Sequence, residues 1–206
     1  MQNFIISLIA SLLAAIIVLL IERMRLPNLV IIDDNKANTT PTYGQEYGEN
    51  RGKWKFIRVS VLNKQMPFFL KWLTRQTAEN CRAMISFFND AGEAIFTMKG
   101  RWADTPELAF LPPNEGIIKI LYPEPVSISV GDRQVLDVVA MKEGEREAFG
   151  WNNEAYFNHW KTQKYRLSKG EYNVKIDIST QNGISFTKTV KLEIGEDISS
   201  SFFRQS

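Results

Sequence analysis

The hydrophobic pattern of the chain begins with a run that is long enough to cross a membrane. Residues 4–21 carry no charge, and only Ser7 and Ser11 interrupt a run of Ile, Leu, Val, Ala and Phe. At a helical rise of about 1.5 Å per residue this run is about 27 Å long, close to the roughly 30 Å hydrocarbon core of a bilayer. We therefore predict that residues 1–25 form a single transmembrane α-helix with a basic flank, in contact with the lipid bilayer through residues 4–21.

The residues that flank the run favour a permanent anchor. A cleaved signal peptide would carry Lys or Arg before the run and small residues at a cleavage site after it. Here no basic residue precedes the run, whereas Arg23 and Arg25 follow it. The positive-inside rule then places the long C-terminal part in the cytoplasm, and the extracytoplasmic face is the alternative.

Small residues along the predicted helix raise the question of a dimer. Ser7, Ser11 and Ala15 are spaced by four residues. In lipid, small residues at this spacing allow two helices to approach closely. The sequence therefore leaves a weak homodimer through these three residues as an open alternative to the monomer.

Beyond the anchor the hydrophobic period changes to two, which is typical of β-strands. Pro27 ends the helix, and residues 29–33 are predicted to form a first strand. In residues 54–63, Ile57, Val59 and Val61 alternate with polar residues. A polar stretch without apolar periodicity lies between these two segments, and we interpret it as a linker.

Turn residues between alternating segments predict two β-hairpins. The turn at residues 89–92 joins the strands at residues 81–88 and 94–98, and Asn182-Gly183 joins the last two strands as a type I′ turn. Lys188 is the one residue that breaks the apolar face of the final strand. Many short strands without helical crossovers predict a mainly β protein with an antiparallel sandwich.

Short motifs within this region resemble those of known β-sandwich families. Residues 167–174, with Tyr172 shortly after Gly170, resemble the tyrosine corner of immunoglobulin-like and fibronectin type III modules. Residues 59–63, 78–85 and 130–132 follow one another in an order that is similar to the cell-adhesion-related modules of bacteria and archaea. The resemblance implies an immunoglobulin-like β-sandwich after the transmembrane helix, with the Tyr172 hydroxyl bonded to a backbone group upstream. It implies no activity.

The predicted sandwich is longer than its fold requires. An immunoglobulin-like module needs about 100 residues, and function on such a fold is normally carried by loops. The excess is assigned to three insertions. The predicted organisation is an anchor at residues 1–25, a first strand and polar linker at 26–52, the sandwich at 53–195 with insertions at 64–77, 103–125 and 142–164, and a C-terminal tail at 196–206.

Two of these insertions carry the candidate partner or membrane surface. In the first, Met66, Phe69, Leu70 and Leu73 have helical spacing and lie among Lys and Arg residues, so they predict a short amphipathic helix resting on an anionic leaflet, or alternatively a cap over one end of the sandwich. In the third, clustered aromatic residues predict a protein-binding or sugar-binding surface if exposed, or a lid if buried. The candidate residues are Phe68, Phe69, Trp72, Phe149, Trp151 and Trp160.

Composition narrows the chemistry that the chain could perform. It contains 25 Lys and Arg against 23 Asp and Glu, so the net charge of +2 gives no reason to expect nucleic acid as a partner. Cys81 is the only cysteine, which excludes an intrachain disulfide and a cysteine-based metal cluster. It alternates with apolar residues and is therefore interpreted as a buried thiol. No cofactor or metal is predicted.

The sequence therefore predicts a single-pass, membrane-anchored interaction module rather than an enzyme. Its partner would be an unknown protein or glycan held near the bilayer. The alternative is a membrane-tethered hydrolase that uses His159, the only histidine, with a carboxylate such as Glu154. That activity would require the imidazole to lie in a cleft within hydrogen-bond reach of an acid or a nucleophile.

Overall fold

A long N-terminal helix precedes two antiparallel sheets in the computed structural model, which describes residues 2–32, 42–46, 49–105, 117–118, 122–157 and 161–204. The helix, α1, spans Gln2–Arg25, and no residue of its apolar window is buried in the structure. It ends where Pro27 was predicted to end it, and the Pro27 side chain is buried. The structure thus confirms one helix that is long and apolar enough to span a membrane.

The rest of the described chain is mainly β, as predicted. A short helix, α2 (Asn153–Phe157), and 3₁₀ helices at Phe68–Leu70 and Gln163–Tyr165 interrupt it. The strands are β1 (Leu29–Ile32), β2 (Thr42–Glu46), β3 (Glu49–Asn63), β4 (Ala78–Phe88), β5 (Ala94–Lys99), β6 (Arg101–Trp102), β7 (Val126–Ile128), β8 (Arg133–Lys142), β9 (Ala148–Gly150), β10 (Arg166–Leu167), β11 (Gly170–Ser179), β12 (Ser185–Ile194) and β13 (Phe202–Arg204).

The strands form two sheets that share one hydrophobic core. In the first sheet the order is β1-β3-β8-β9-β10, with β2 and β6 paired to β3 and β8. In the second it is β13-β12-β11-β4-β5, with β7 beside β4. Alternating residues of β3 and β11 reach the core from opposite sheets, and the most deeply buried of these are Ile57, Val59, Val61, Val174 and Ile176.

Apart from the predicted first strand, two strands lie entirely outside the predicted sandwich at residues 53–195. Residues 42–46 and 49–52, predicted as a polar linker, form β2 and the start of β3, with Tyr43 opposite Lys53. The predicted C-terminal tail contains β13, which pairs with β12 and buries Phe203. Both strands pair through the backbone, which needs no apolar alternation in the sequence, and β13 also buries one aromatic side chain.

The turn of the last hairpin has the predicted position but another geometry. Gly183 has a φ of 79°, whereas Asn182 does not have a positive φ. The Gly183 N–H donates to the Thr180 carbonyl (3.2 Å), and the Thr180 N–H donates to the Ile184 carbonyl (3.0 Å). This is a type I turn followed by a left-handed glycine, so the predicted type I′ turn, which needs positive φ at two residues, is wrong. The Asn182 side chain instead accepts a hydrogen bond from the Glu79 N–H (2.8 Å).

Two side chains of the β11–β12 hairpin bond to backbone elsewhere. The Tyr172 hydroxyl donates to the Ser168 carbonyl at 2.7 Å, which is the upstream bond that the sequence predicts. Lys188, the polar residue on the inward face of β12, donates through Nζ to the Ile31 carbonyl of β1 at 3.0 Å. This bond joins an edge strand of the first sheet to the second sheet.

Candidate functional site

The end of α1 is fixed to the β domain by backbone hydrogen bonds. The Gln76 N–H donates to the Arg25 carbonyl (2.6 Å), and the Lys64 N–H donates to the Asn28 carbonyl (2.9 Å). The Arg75 guanidinium donates through Nη1 to the Leu26 carbonyl (2.9 Å). Residues 25–28 are therefore attached to the domain and do not form a flexible linker.

Asn63, at the end of β3, holds this junction together from inside. It is fully buried, and its amide oxygen accepts from the Asn28 N–H at 3.1 Å. Its side-chain amide donates to the carbonyls of Gln76 (3.0 Å) and Ile128 (3.1 Å). Its backbone carbonyl accepts from the Gly131 N–H (2.8 Å). One side chain thus connects the helix exit, the first insertion and β7.

The first insertion carries three exposed aromatic residues at this junction. Met66 and Leu73 are buried, with 8% and 6% of their surfaces exposed. Between them, Phe68, Phe69 and Trp72 are 84%, 74% and 72% exposed. We call residues 67–72 the aromatic loop.

The predicted amphipathic helix is not formed in this insertion. The regular element here is the 3₁₀ helix Phe68–Leu70, and it contains no buried residue. Met66 and Leu73 face the domain whereas Phe69 faces solvent, so the residues with helical spacing do not share one face. The insertion is attached to residues 25–28 near both of its ends, through the Lys64 and Gln76 N–H groups. Phe68, Phe69 and Trp72 are nevertheless exposed, so they remain candidates for a partner or membrane surface.

The aromatic residues of the third insertion are arranged differently. Phe149 and Trp151 are 1% and 8% exposed, so these two candidates do not form a partner surface. The Trp151 ring lies 5.3 Å from the Phe56 ring and 5.8 Å from the Tyr156 ring. Phe149 and Trp151 instead fit the alternative prediction, in which the aromatic residues of this insertion form a lid over the core. Trp160 and His159 lie outside the described residues.

Glu154, the carboxylate suggested for a hydrolase, has two partners in the described structure. Lys164 Nζ lies 2.6 Å from Oε1, and the Tyr165 hydroxyl donates to Oε2 at 2.7 Å. Partial burial acts to raise the pKa of Glu154, but the hydrogen bonds from Lys164 and Tyr165 outweigh it and hold that pKa below its ordinary value. Glu154 is therefore an anion at neutral pH, and its pairing with His159 stays a prediction.

A buried charge cluster, which the sequence analysis does not anticipate, lies on β8. Asp137 is fully buried and accepts from Arg58 Nε (2.6 Å) and Arg101 Nη1 (2.7 Å). Burial raises the pKa of Asp137, and the two guanidinium groups oppose that rise. The Arg101 guanidinium also lies 5.4 Å from the centre of the Tyr156 ring. The cluster joins β3, β6 and β8 through side chains, and it is a structural feature rather than an open site.

The outer face of the second sheet contains a groove of about 420 Å³. It is formed mainly by residues of β4, β5, β11 and β12 and by the segment before β7, and its lining contains both apolar and charged groups. Lys99 on its rim lies 5.2 Å from the centre of the Tyr122 ring. The main lining residues are Arg82, Met84, Lys99, Tyr122, Asp177 and Thr187.

The described residues include no candidate metal site, and their one thiol is poorly suited to act as a nucleophile. Within that part of the chain, no three His, Cys, Asp or Glu residues lie close enough to hold a metal ion. Cys81 is fully buried, and its burial raises the pKa of the thiol to about 11. The thiol is therefore protonated at neutral pH and is a poor nucleophile there.

Comparison with known proteins assigns no function to these features. No protein-family model, no curated protein and no solved structure matches the chain. What the protein does is therefore inferred from its own residues.

Proposed function

We propose that the protein is a single-pass, membrane-anchored interaction module that holds a protein or glycan partner near the bilayer. The observation that carries this proposal is that α1, apolar and uncovered along its length, continues into the β domain without a flexible linker. A helix that exposes this much apolar surface needs an apolar environment, and a bilayer supplies one. The domain would then stand at a fixed orientation to the membrane.

The proposal treats the domain as an immunoglobulin-like sandwich. The strand orders support this assignment. One sheet contains β1-β3-β8 and the other contains β12-β11-β4-β5, and an immunoglobulin-like sandwich likewise divides its strands between two antiparallel sheets. The hydrogen bond from the Tyr172 hydroxyl to Ser168 matches the tyrosine corner of the same fold. A fold of this type supports function through its surface and loops, and it implies no particular chemistry.

The groove on the second sheet is the proposed partner site. Arg82 and Lys99 bring positive charge to it, and Asp177 brings negative charge. Met84, which is 39% exposed, adds an apolar contact between them. A surface with charges of both signs around an apolar centre suits a polar partner that makes several directed contacts.

Copurification from native membranes tests this proposal. Tagged full-length protein is solubilised from the membranes of its own cells, and the bound proteins and glycans are identified by mass spectrometry. We expect a partner to be recovered with the wild type and to be lost with Lys99→Glu and with Met84→Arg, because both changes alter the groove without touching the core.

Lys191→Glu is the matched control. Lys191 is an exposed lysine on β12 and is absent from the groove lining. The same charge reversal there should leave the partner bound. Recovery of the protein in the soluble fraction, or equal binding by all variants, would contradict the proposal.

A further inference from the structure

The aromatic loop lies where a second contact with the membrane would form. We propose that residues 67–72 insert into the headgroup interface of the leaflet from which α1 emerges. This inference rests on the proposed membrane span of α1, and it adds a lipid-binding site on the β domain itself. The ligand is a lipid surface that contains anionic headgroups.

The exposure of the loop is the first argument. Among the large hydrophobic residues that the structure describes outside α1, Phe68, Phe69 and Trp72 are the three most exposed. They lie within five consecutive residues of one loop, and the next most exposed apolar group of the domain, Ile117, Ile118 and Tyr122, is less exposed, at 53–63%. A contiguous apolar patch of this kind marks an interaction surface.

The position of the loop is the second argument. The Thr74 carbonyl accepts from Nε of Arg25, the last residue of α1, at 3.4 Å. Trp72 lies two residues before Thr74, and an extended chain covers at most about 3.6 Å per residue. Trp72 therefore lies within about 7 Å of the residue that contacts the helix end. The patch is continuous with the surface at which α1 would leave the bilayer.

The chemistry of the loop fits an interface rather than a protein core. Trp side chains are enriched at the boundary between headgroups and hydrocarbon, and basic residues near it attract anionic lipids. Lys64 and Lys71 are exposed on the same insertion, and Lys71 Nζ lies 5.3 Å from the centre of the Phe68 ring. Met66 and Leu73 are buried in the domain at the base of the loop, and the three rings between them are exposed.

Depth-dependent fluorescence quenching tests the inference on the full-length protein. The protein is reconstituted into vesicles of phosphatidylcholine and phosphatidylglycerol in which some phosphatidylcholine carries bromine close to the headgroup. Brominated lipid quenches tryptophan on contact, and α1 contains no tryptophan. We expect the wild type to lose a blue-shifted part of its emission that Trp72→Phe lacks from the start. Equal fractional quenching of wild type and Trp72→Phe would overturn the inference.

A double variant and a separate measurement of the anchor keep the outcomes distinct. Phe68→Ser with Phe69→Ser retains Trp72, and it should shift the Trp72 emission to the red and reduce its quenching.

Resistance to alkaline extraction reports on α1 alone. If the wild type is extracted, the proposed span fails. If it resists extraction but Trp72 is not quenched, only the loop inference fails. Trp72 that is shielded from aqueous acrylamide yet not quenched by brominated lipid would mean that a protein covers the loop, which also overturns the lipid assignment.

Discussion

At the scale of single residues, Asn63 is a fully buried polar side chain whose hydrogen bonds join separate segments of the chain. Its side chain bonds to three backbone groups from three separate segments. Removing the side chain leaves the Asn28 N–H and two carbonyls without these partners in a buried place. A buried polar group that loses its partner costs about 1–3 kcal/mol.

We therefore expect Asn63→Ala to lower the free energy of unfolding by about 3 kcal/mol, measured by urea denaturation of the full chain in detergent. Asn173→Ala is the control, because Asn173 is half-buried on a strand and should change stability by less than about 1 kcal/mol. Equal effects of the two variants would show that the Asn63 bonds contribute nothing.

Tyr172 allows a test of one hydrogen bond. Tyr172→Phe removes the hydroxyl that donates to the Ser168 carbonyl, and since the ring is only half-buried we expect a loss of about 1 kcal/mol in unfolding free energy. Tyr172→Ala also removes the ring and should cost about 3 kcal/mol. Tyr122 is 63% exposed, so Tyr122→Phe should stay within about 0.5 kcal/mol. A Tyr172→Phe protein as stable as the wild type would contradict the corner.

Cys81 gives a prediction about alkaline pH. Burial raises the pKa of its thiol from 9.0 to about 11 in the folded protein. Above pH 9 the unfolded chain loses this proton while the folded protein keeps it, so the unfolded state binds fewer protons and stability falls as pH rises. Between pH 9 and 11 the urea midpoint of the wild type should fall more steeply than that of Cys81→Ala. Parallel curves would show that the thiol titrates equally in both states.

At the scale of elements, the helix and the domain can be separated at a defined place. The Arg25 carbonyl accepts a hydrogen bond from Gln76, so a chain that starts at residue 26 loses it and a chain that starts at residue 23 keeps it. We expect both chains to fold, with the shorter one less stable by about 1 kcal/mol in urea. Failure of the chain from residue 23 to fold would mean that α1 is part of the domain.

The sequence predicts the elements that are determined by local residue patterns, and it misses those that depend on pairing with a distant strand. The last hairpin and the end of α1 follow from apolar alternation and from proline, which act locally. The sequences of β2 and β13 show little apolar alternation, so the pattern does not reveal these strands, and their pairing with β3 and β12 is evident only from the structure.

The candidate site shows the same division between local and distant causes. The aromatic residues of the first insertion are evident in the sequence, but the attachment of the insertion to residues 25–28 is made by hydrogen bonds between distant parts of the chain. The charge cluster on β8 is less predictable still. Its arginines lie 79 and 36 residues from Asp137, and only the strand pairing brings them together.

At the scale of the whole molecule, the side of the membrane on which the domain lies can be tested by labelling. Because Arg23 and Arg25 follow the apolar run, we propose a cytoplasmic domain. Asp90 lies in an exposed turn, and Asp90→Cys should resist an impermeant maleimide in intact cells and react after permeabilisation. The native Cys81 should add no background, since it is buried and protonated. Labelling of intact cells would reverse the topology.

The fixed connection between α1 and β1 makes rotation of the helix and rotation of the domain a single motion. An α-helix turns by about 100° per residue. One residue inserted between residues 21 and 22 would therefore turn the lipid-facing surface of α1 by about 100° relative to the groove, without altering a contact inside the domain. Two copies that met through Ser7 and Ser11 would then present different sides of their domains to each other. The junction thus fixes the rotational angle between the lipid-facing surface of α1 and the groove of the β domain.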